Sequence, residues 1–111
     1  MYNFSVPAVF KAYVDLIVRV GQTFVFEEGR PKGLLQNKSL IVITSSGADY
    51  SEAPWKAMDF VEPYLRAIFG FLGVTNVTVI SAPGRDPATI AASSKQAQEK
   101  IKKHFQAAKV R

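Results

Sequence analysis

The chain has 111 residues, of which 48% are hydrophobic, and this size and composition fit one globular domain with enough apolar material for a core. It contains no cysteine, which excludes a disulfide framework, a thiolate nucleophile and any cysteine-based metal site. No apolar run reaches the roughly 18 residues of a membrane helix, and the start lacks the features of a signal peptide, so we predict a cytoplasmic protein that makes no membrane contact.

The net charge of +5 raises the possibility of nucleic-acid binding, because a basic stripe is the usual footprint of phosphate recognition. The cations, however, crowd the last predicted helix among glutamines and one glutamate, whereas the aromatic residues lie elsewhere. They are Lys95, Lys100, Lys102, Lys103, Lys109 and Arg111. This distribution is typical of a solvated helix face, so we predict no nucleic-acid partner.

The first predicted element is a helix over residues 7–20, PAVFKAYVDLIVRV, whose apolar residues recur at helical spacing. Ser5 is its predicted cap, the proline at position 7 falls in its first turn, and Gly21 is its predicted stop. The next segment, TFVFEEGRPKGLL, shows short β-like alternation around a Gly-Arg-Pro turn signal. We interpret this segment as an excursion loop.

A continuous apolar, β-branched run, SLIVITSSG at residues 39–47, predicts a strand. Such a run is typical of a strand buried on both faces, and hence of a parallel sheet. After a polar stretch, residues 60–73 predict a second helix, with Pro63 near its first turn and Gly73 at its end.

A second apolar run, VTNVTVISAPG at residues 74–84, predicts another strand, and residues 86–110 predict a last helix with Asp86 as N-cap and Pro87 at its first position. The order is therefore helix, excursion, strand, helix, strand, helix. This alternation indicates an α/β fold.

Three loops are candidate ligand contacts: MYNF at the start, TSSGA after the first predicted strand and SAPGR after the second. In open parallel sheets, ligands bind in the crevice outside the carboxyl ends of the strands. The aromatic residues at positions 2 and 4 are unusual in an N-terminal tail, which indicates packing against either the protein's own core or a flat ligand.

Two parallel strands leave two open edges, whereas most natural sheets have about five strands. The sequence therefore looks like part of something larger, in which the first helix follows a strand upstream of Met1.

Several separated blocks, in this order and with this spacing, resemble the C-terminal half of the FMN-dependent NADH-azoreductases, which are flavodoxin-like enzymes related to the NAD(P)H quinone oxidoreductases. The resemblance covers about residues 1 to 82. The blocks are MYNF, PAVFKAYVDLIVR, GQTFVFEEGRPKGLL, SLIVITSSGADYS and EPYLRAIFGFLGVTNVTVISA. It implies a flavodoxin-like parallel sheet with flanking helices, forming a single partial domain over residues 1–111 that lacks the N-terminal half, with its first strands and phosphate loop.

The resemblance also implies a set of binding residues and no catalytic or metal-binding side chain. The implied FMN contacts are Met1, Tyr2, Asn3 and Phe4 around the ring and ribityl chain, and Ser45, Ser46 and Gly47 on the pyrimidine side. The chemistry is suitable, because a turn of serine and glycine can direct N–H donors at the flavin carbonyl oxygens. Phe26 and Phe71 resemble aromatic walls of the substrate-stacking site, one from each subunit of a homodimer.

Two positions depart from the family pattern. Relatives commonly have Ser-Arg-Gly-Gly where this chain has Ser45, Ser46, Gly47 and Ala48, and the second glycine's tight backbone approach is lost. Where relatives carry a tyrosine in the excursion, this chain has Phe26, which keeps stacking and removes a hydroxyl.

The implied activity is hydride transfer from NADH or NADPH to FMN, followed by reduction of a small-molecule quinone or azo compound stacked in the same place. The FMN phosphate is normally held at a helix N-terminus by several charge-assisted hydrogen bonds. Losing three or four of them, at about 1.5 kcal/mol each, would weaken binding roughly a thousandfold or more. We therefore predict that this chain binds FMN poorly.

The residues alone leave other interpretations open. Tyr2 and Phe4 can instead cap the open side of the sheet, and Ser45–Gly47 can be an ordinary turn. Trp55 is a candidate lid or interface anchor, and His104, among lysines, fits a surface position. The alternative function is a non-catalytic association half-domain that oligomerises through its exposed sheet edge.

Overall fold

The computed structural model describes residues 1–109. Val110 and Arg111, which end the predicted last helix and the cationic set, lie outside the described residues. The elements are α1 (Ala8–Ile17), β1 (Phe24–Glu27), β2 (Arg30–Gly33), β3 (Ser39–Ser46), a 3₁₀ helix (Trp55–Met58), α2 (Glu62–Phe71), β4 (Asn76–Pro83) and α3 (Pro87–Lys109). β1 pairs with β2, and β3 pairs with β4. The predicted alternation of helices and strands is confirmed.

The chain divides into two compact units. The first comprises Met1–Ile41 and Asp59–Thr78, and the second comprises Val42–Met58 and the chain from Val79 onward. The buried apolar side chains of the first unit are Val14, Val61, Leu65, Leu72 and Val74, and those of the second are Ile80 and Ala97. The single partial domain expected over residues 1–111 stays a prediction.

The helix α1 is shorter than its apolar periodicity predicts. Pro7 is its N-cap, with an extended backbone at φ −59° and ψ 151°, so the predicted cap at Ser5 is wrong. At the other end, the Thr23 hydroxyl donates to the Ile17 carbonyl at 2.6 Å. Because that side chain takes up a carbonyl of the last turn, the helix ends at Ile17, and Gly21 lies in the turn that follows rather than at the stop.

The predicted excursion loop is a β-hairpin. Glu27 pairs with Arg30 across a two-residue turn of Glu28 and Gly29, whose φ angles are 50° and 76°. Two left-handed residues in succession give the turn that matches the twist of paired strands. The Gly-Arg-Pro signal predicts a turn that starts at Gly29, whereas the turn starts at Glu28. Arg30 and Pro31 already belong to β2.

The strand β3 has the predicted bounds to within one residue but not the predicted burial. None of its residues is buried, and Ile43 is 59% exposed. The expectation of a strand buried on both faces is therefore wrong for the described chain. Among residues 1–109, β3 and β4 form a two-stranded sheet, so β3 has a strand neighbour on one side only.

The helix α2 begins where an acidic side chain receives its first N–H groups. The Asp59 carboxylate accepts hydrogen bonds from the backbone N–H of Val61 at 2.9 Å and of Glu62 at 3.2 Å. Pro63 lies in the first turn as predicted, where a missing N–H costs nothing. The capping role of Asp59 emerges from the structure.

The end of α2 is set by Gly73, as predicted. Its φ of 102° favours glycine, and its N–H donates to the Gly70 carbonyl at 3.0 Å. The next N–H, of Val74, donates to the Phe69 carbonyl at 2.8 Å. These two bonds are the Schellman pattern, which satisfies the last carbonyls of a helix.

The start of α3 is also as predicted, with Pro87 as its first residue and Asp86 before it. The Asp86 carboxylate accepts from the Thr89 N–H at 3.0 Å and from the Thr89 hydroxyl at 2.8 Å. These bonds satisfy a free donor of the first turn. Within residues 1–109, no helix is both long and apolar enough to cross a bilayer.

Candidate functional site

The N-terminal tetrapeptide forms a tight, strained turn in the first unit. Tyr2 and Ser5 exchange two backbone hydrogen bonds of 2.9 Å, and the residues between them, Asn3 and Phe4, have φ angles of 47° and 68°. Asparagine tolerates the left-handed region, whereas a phenylalanine there costs about 1–2 kcal/mol. The Phe60 N–H donates to the Phe4 carbonyl at 3.0 Å and holds the turn against the residues before α2.

This turn borders an open cavity of about 560 Å³. Its lining residues are Tyr2, Asn3, Ser5, Val6, Ala8, Lys11 and Tyr64. The Tyr2 side chain is 69% exposed, so its ring is available to a ligand rather than committed to the core. Lys11 pairs with Asp15 at 2.7 Å, and this hydrogen bond raises the pKa of the lysine, so an ion pair lies at the rim.

In the second unit, the loops that follow β3 and β4 are bonded to each other. The Gly84 N–H donates to the Ser46 carbonyl at 2.9 Å, and the Arg85 Nε donates to the Gly47 carbonyl at 2.9 Å. The Ser46 hydroxyl closes the turn by donating to the Ala48 carbonyl at 2.7 Å. The structure thus brings together two of the three predicted loops, TSSGA and SAPGR.

These two loops line a cavity of about 350 Å³, bounded by Gly47, Asp49, Pro83, Gly84, Arg85, Asp86 and Thr89. Both of its carboxylates are occupied by local hydrogen bonds. The Ser51 hydroxyl and backbone N–H lower the pKa of Asp49, and the backbone N–H and hydroxyl of Thr89 lower the pKa of Asp86. A carboxylate held ionised in this way is a structural acceptor, not a proton donor at neutral pH.

Three aromatic rings meet in the first unit. Phe24 packs against Phe26 with ring centroids 5.7 Å apart and against Phe71 at 4.8 Å. The sequence predicts Phe26 and Phe71 as substrate walls, and the structure joins them through Phe24, which the sequence reasoning missed. The signal was available, because residues two apart on a strand lie on the same face.

A family model with the description flavodoxin-like fold matches residues 1–105. The chain belongs to this flavodoxin-like family. The match confirms the predicted α/β class with a parallel sheet and flanking helices, and the resemblance stated from the sequence.

Two relatives are named FMN-dependent NADH:quinone oxidoreductase. The one from Hydrogenovibrio crunogenus is 48% identical over 103 residues, covering 91% of the flavodoxin-like chain and 51% of the relative. The one from Trichormus variabilis, numbered 1, is 56% identical over 82 residues, covering 74% of the flavodoxin-like chain and 38% of the relative. The flavodoxin-like chain thus spans about half the length of the curated relatives it matches.

A solved structure of similar fold is the FMN-dependent NADH-azoreductase from Bacillus anthracis in complex with FMN. The two share 29% identity with a TM-score of 0.80, over 93% of the flavodoxin-like chain and 51% of the azoreductase. A second azoreductase structure from the same species gives a TM-score of 0.77 at 28% identity.

The remaining predicted site residues of the flavodoxin-like chain are placed as follows. Met1 is half-buried in the first unit, and Ser45 is exposed in the second. That Met1–Phe4 and Ser45–Gly47 form neighbouring walls of one slot stays a prediction. Trp55 packs its ring against Tyr50 with centroids 6.2 Å apart, and its role as lid or anchor stays open.

Proposed function

We propose that this chain supplies flavin-contacting loops of an FMN-dependent oxidoreductase that passes electrons from NADH or NADPH to quinones or azo compounds. The observation that carries the proposal is the pair of hydrogen bonds joining Ser46 to Gly84 and Gly47 to Arg85. They tie two loops at the carboxyl ends of neighbouring strands, the place where flavodoxin-like sheets bind their ligand. The names of the relatives support the same activity.

The residues fit the isoalloxazine of FMN by their chemistry. A flat tricyclic ring needs aromatic contact on its faces and N–H donors near its carbonyl oxygens. Tyr2 and Phe4 are exposed aromatic side chains, Ser45 is exposed near the end of β3, and Gly47 is exposed in the loop that follows. Tyr2 and Phe4 with Met1 and Asn3 would hold the ring and ribityl chain, and Ser45–Gly47 would hold the pyrimidine edge.

Bound FMN would supply the hydride transfer, so the chain needs no side chain as acid or base. The contribution of the protein is positioning, and the exposed ring of Phe26, with Phe71, would stack the flat acceptor and exclude water around it. Both aromatic residues are exposed, with Phe26 at 63%. A homodimer, with one of these walls from each subunit, is part of the proposal.

Flavin titration of the purified chain tests the proposal. We expect FMN fluorescence to be quenched on binding, and Tyr2→Ala to weaken binding about tenfold through loss of ring stacking. Phe105→Ala, which removes another half-exposed aromatic ring far along α3, is the matched control and is expected to bind as the wild type does. Absence of saturable quenching by FMN, or equal loss in both variants, would refute the flavin-binding role.

The alternative function is association through apolar surface. The exposed side chains Val9, Tyr13, Leu16 and Val20 recur at helical spacing along α1 and into the segment that follows. A stripe of this kind is typical of a face that pairs with another surface. A colourless oligomer in size-exclusion chromatography that binds no added FMN would favour the association module. A yellow dimer would favour the oxidoreductase.

A further inference from the structure

The turn after β3 receives its support from the start of α3. Thr89, in the first turn of that helix, has its hydroxyl 3.3 Å from the backbone N–H of Arg85 and is itself bonded to Asp86. The Arg85 backbone is therefore fixed relative to the helix. From that position its guanidinium reaches the Gly47 carbonyl, a residue 38 positions away in sequence.

The hydrogen bond from Arg85 to the Gly47 carbonyl fixes the orientation of the whole peptide group between Gly47 and Ala48. The peptide group is planar and trans, so the direction of the Gly47 carbonyl determines the direction of the Ala48 N–H, which points the opposite way. In the same manner, the bond from Gly84 to the Ser46 carbonyl determines the direction of the Gly47 N–H. Two successive donors, the N–H groups of Gly47 and Ala48, are thus oriented by the loop after β4.

We propose that Arg85 is a positioning residue for the flavin-facing turn: by holding the Gly47 carbonyl, it aims the Ala48 N–H at the pyrimidine edge of the flavin. The proposal rests on the proposed function. Donors aimed beforehand at a carbonyl oxygen stabilise the negative charge that the flavin ring gains on reduction, without reorganising at the moment of reaction. Arg85 acts through the turn and need not touch the flavin itself.

The test compares four variants of the whole chain. Arg85→Ala removes the donor, Arg85→Gln keeps an N–H donor without charge, and Arg85→Lys keeps a charged donor. Arg19→Ala is the control, because it removes the same charge from an exposed position in the other unit. Circular dichroism establishes that each variant is folded before binding is measured.

We expect Arg85→Ala to weaken FMN binding about five- to tenfold and to lower the midpoint potential of the bound flavin. Arg85→Lys is expected to restore part of both, and Arg19→Ala to change neither. In the flavin-free chain, Arg85→Ala is expected to speed amide hydrogen exchange at Ala48, which reports the turn directly.

Two failures are distinguishable. If the wild-type chain does not bind flavin, the proposed function fails and the flavin role of Arg85 fails with it. If the wild type binds while affinity, potential and Ala48 exchange are unchanged in Arg85→Ala, the proposed function survives and the positioning role is overturned. Losses of equal size in Arg85→Ala and Arg19→Ala would also overturn it, because they would reflect net charge.

Discussion

The ring of Phe24 packs against the ring of Phe71 with centroids 4.8 Å apart, joining the β1–β2 hairpin to the end of α2. Phe24 is half-buried, whereas Phe26, two residues along the same strand, is 63% exposed. Phe24 therefore anchors the hairpin, whereas the ring of Phe26 stays largely exposed. We expect Phe24 to contribute mainly to stability and Phe26 mainly to substrate binding.

Replacing Phe24 by Ala is expected to lower the free energy of unfolding by about 2 kcal/mol, because a half-buried ring and its aromatic contacts are lost. Phe26→Ala is expected to lower it by less than about 0.5 kcal/mol and to raise the KM for a quinone several-fold. Urea unfolding and the NADH:quinone assay measure the two effects. An unchanged KM in Phe26→Ala would contradict the substrate-stacking role.

Asn3 lies at φ 47° in the N-terminal turn, a conformation that glycine adopts without strain. Asn3→Gly is expected to change the free energy of unfolding by less than about 0.5 kcal/mol while weakening flavin binding, since only the amide side chain is removed. Glu28→Gly, at φ 50° in the hairpin turn, is the matched control, and its flavin affinity is expected to stay at the wild-type value. Equal affinities for Asn3→Gly and the wild type would remove Asn3 from the flavin contacts.

Gly33 lies where a side chain has no room, because an added Cβ would clash with the backbone of Leu72 and Gly73. Gly70, in α2, would meet nothing within 4 Å. Gly33→Ala is expected to destabilise the chain by about 2 kcal/mol or more, and Gly70→Ala to stabilise it by about 0.5 kcal/mol through helix propensity. Thermal unfolding followed by circular dichroism measures both, and a destabilised Gly70→Ala would show that the helix end tolerates no change.

The parts of the fold that were predictable from the sequence are those fixed by neighbouring residues. Gly73 and Asp86 mark helix boundaries correctly, because their capping hydrogen bonds are made to residues three positions away in sequence. The end of α1 was misplaced, since the Thr23 hydroxyl, which lies beyond the predicted stop at Gly21, takes up the Ile17 carbonyl. Glu28 conceals the hairpin, because the left-handed turn normally carries Asn, Asp or Gly there.

Burial and the candidate site depend on residues distant in sequence. The apolar residues of β3 predict a buried strand. Its burial also depends on how many strands lie beside it, and the residues of β3 carry no information about that number. Ser45–Gly47 stands out in the sequence as a candidate because it lies at the end of a strand, which is a local property. The contact between Arg85 and Gly47 does not, since the two residues lie 38 positions apart and meet only once β3 and β4 have paired.

Asp86 makes the stability of α3 dependent on pH in the acid range. Hydrogen bonds from Thr89 lower the pKa of its carboxyl from the ordinary value of 3.8, so its contribution is present in full above that value and is lost as pH falls through the lower folded pKa. Asp86→Asn is expected to lower the thermal midpoint by a few degrees at pH 7, and the difference from the wild type is expected to be smaller at pH 2. Midpoints that differ equally at both pH values would show that the carboxylate charge is not involved.

Every proposed flavin contact, from Met1–Phe4, Ser45–Gly47 and the Ala48 N–H, is to the ring or the ribityl chain, and none is to the phosphate. Riboflavin, which lacks the phosphate, is therefore expected to bind this chain about as tightly as FMN, with dissociation constants within about threefold of each other and above about 1 µM. Competition of the two flavins, followed by fluorescence quenching, gives the ratio, and raising the salt concentration is expected to leave it unchanged. A submicromolar dissociation constant for FMN combined with much weaker riboflavin binding would contradict this prediction, because it would require an anion-binding group within the chain itself.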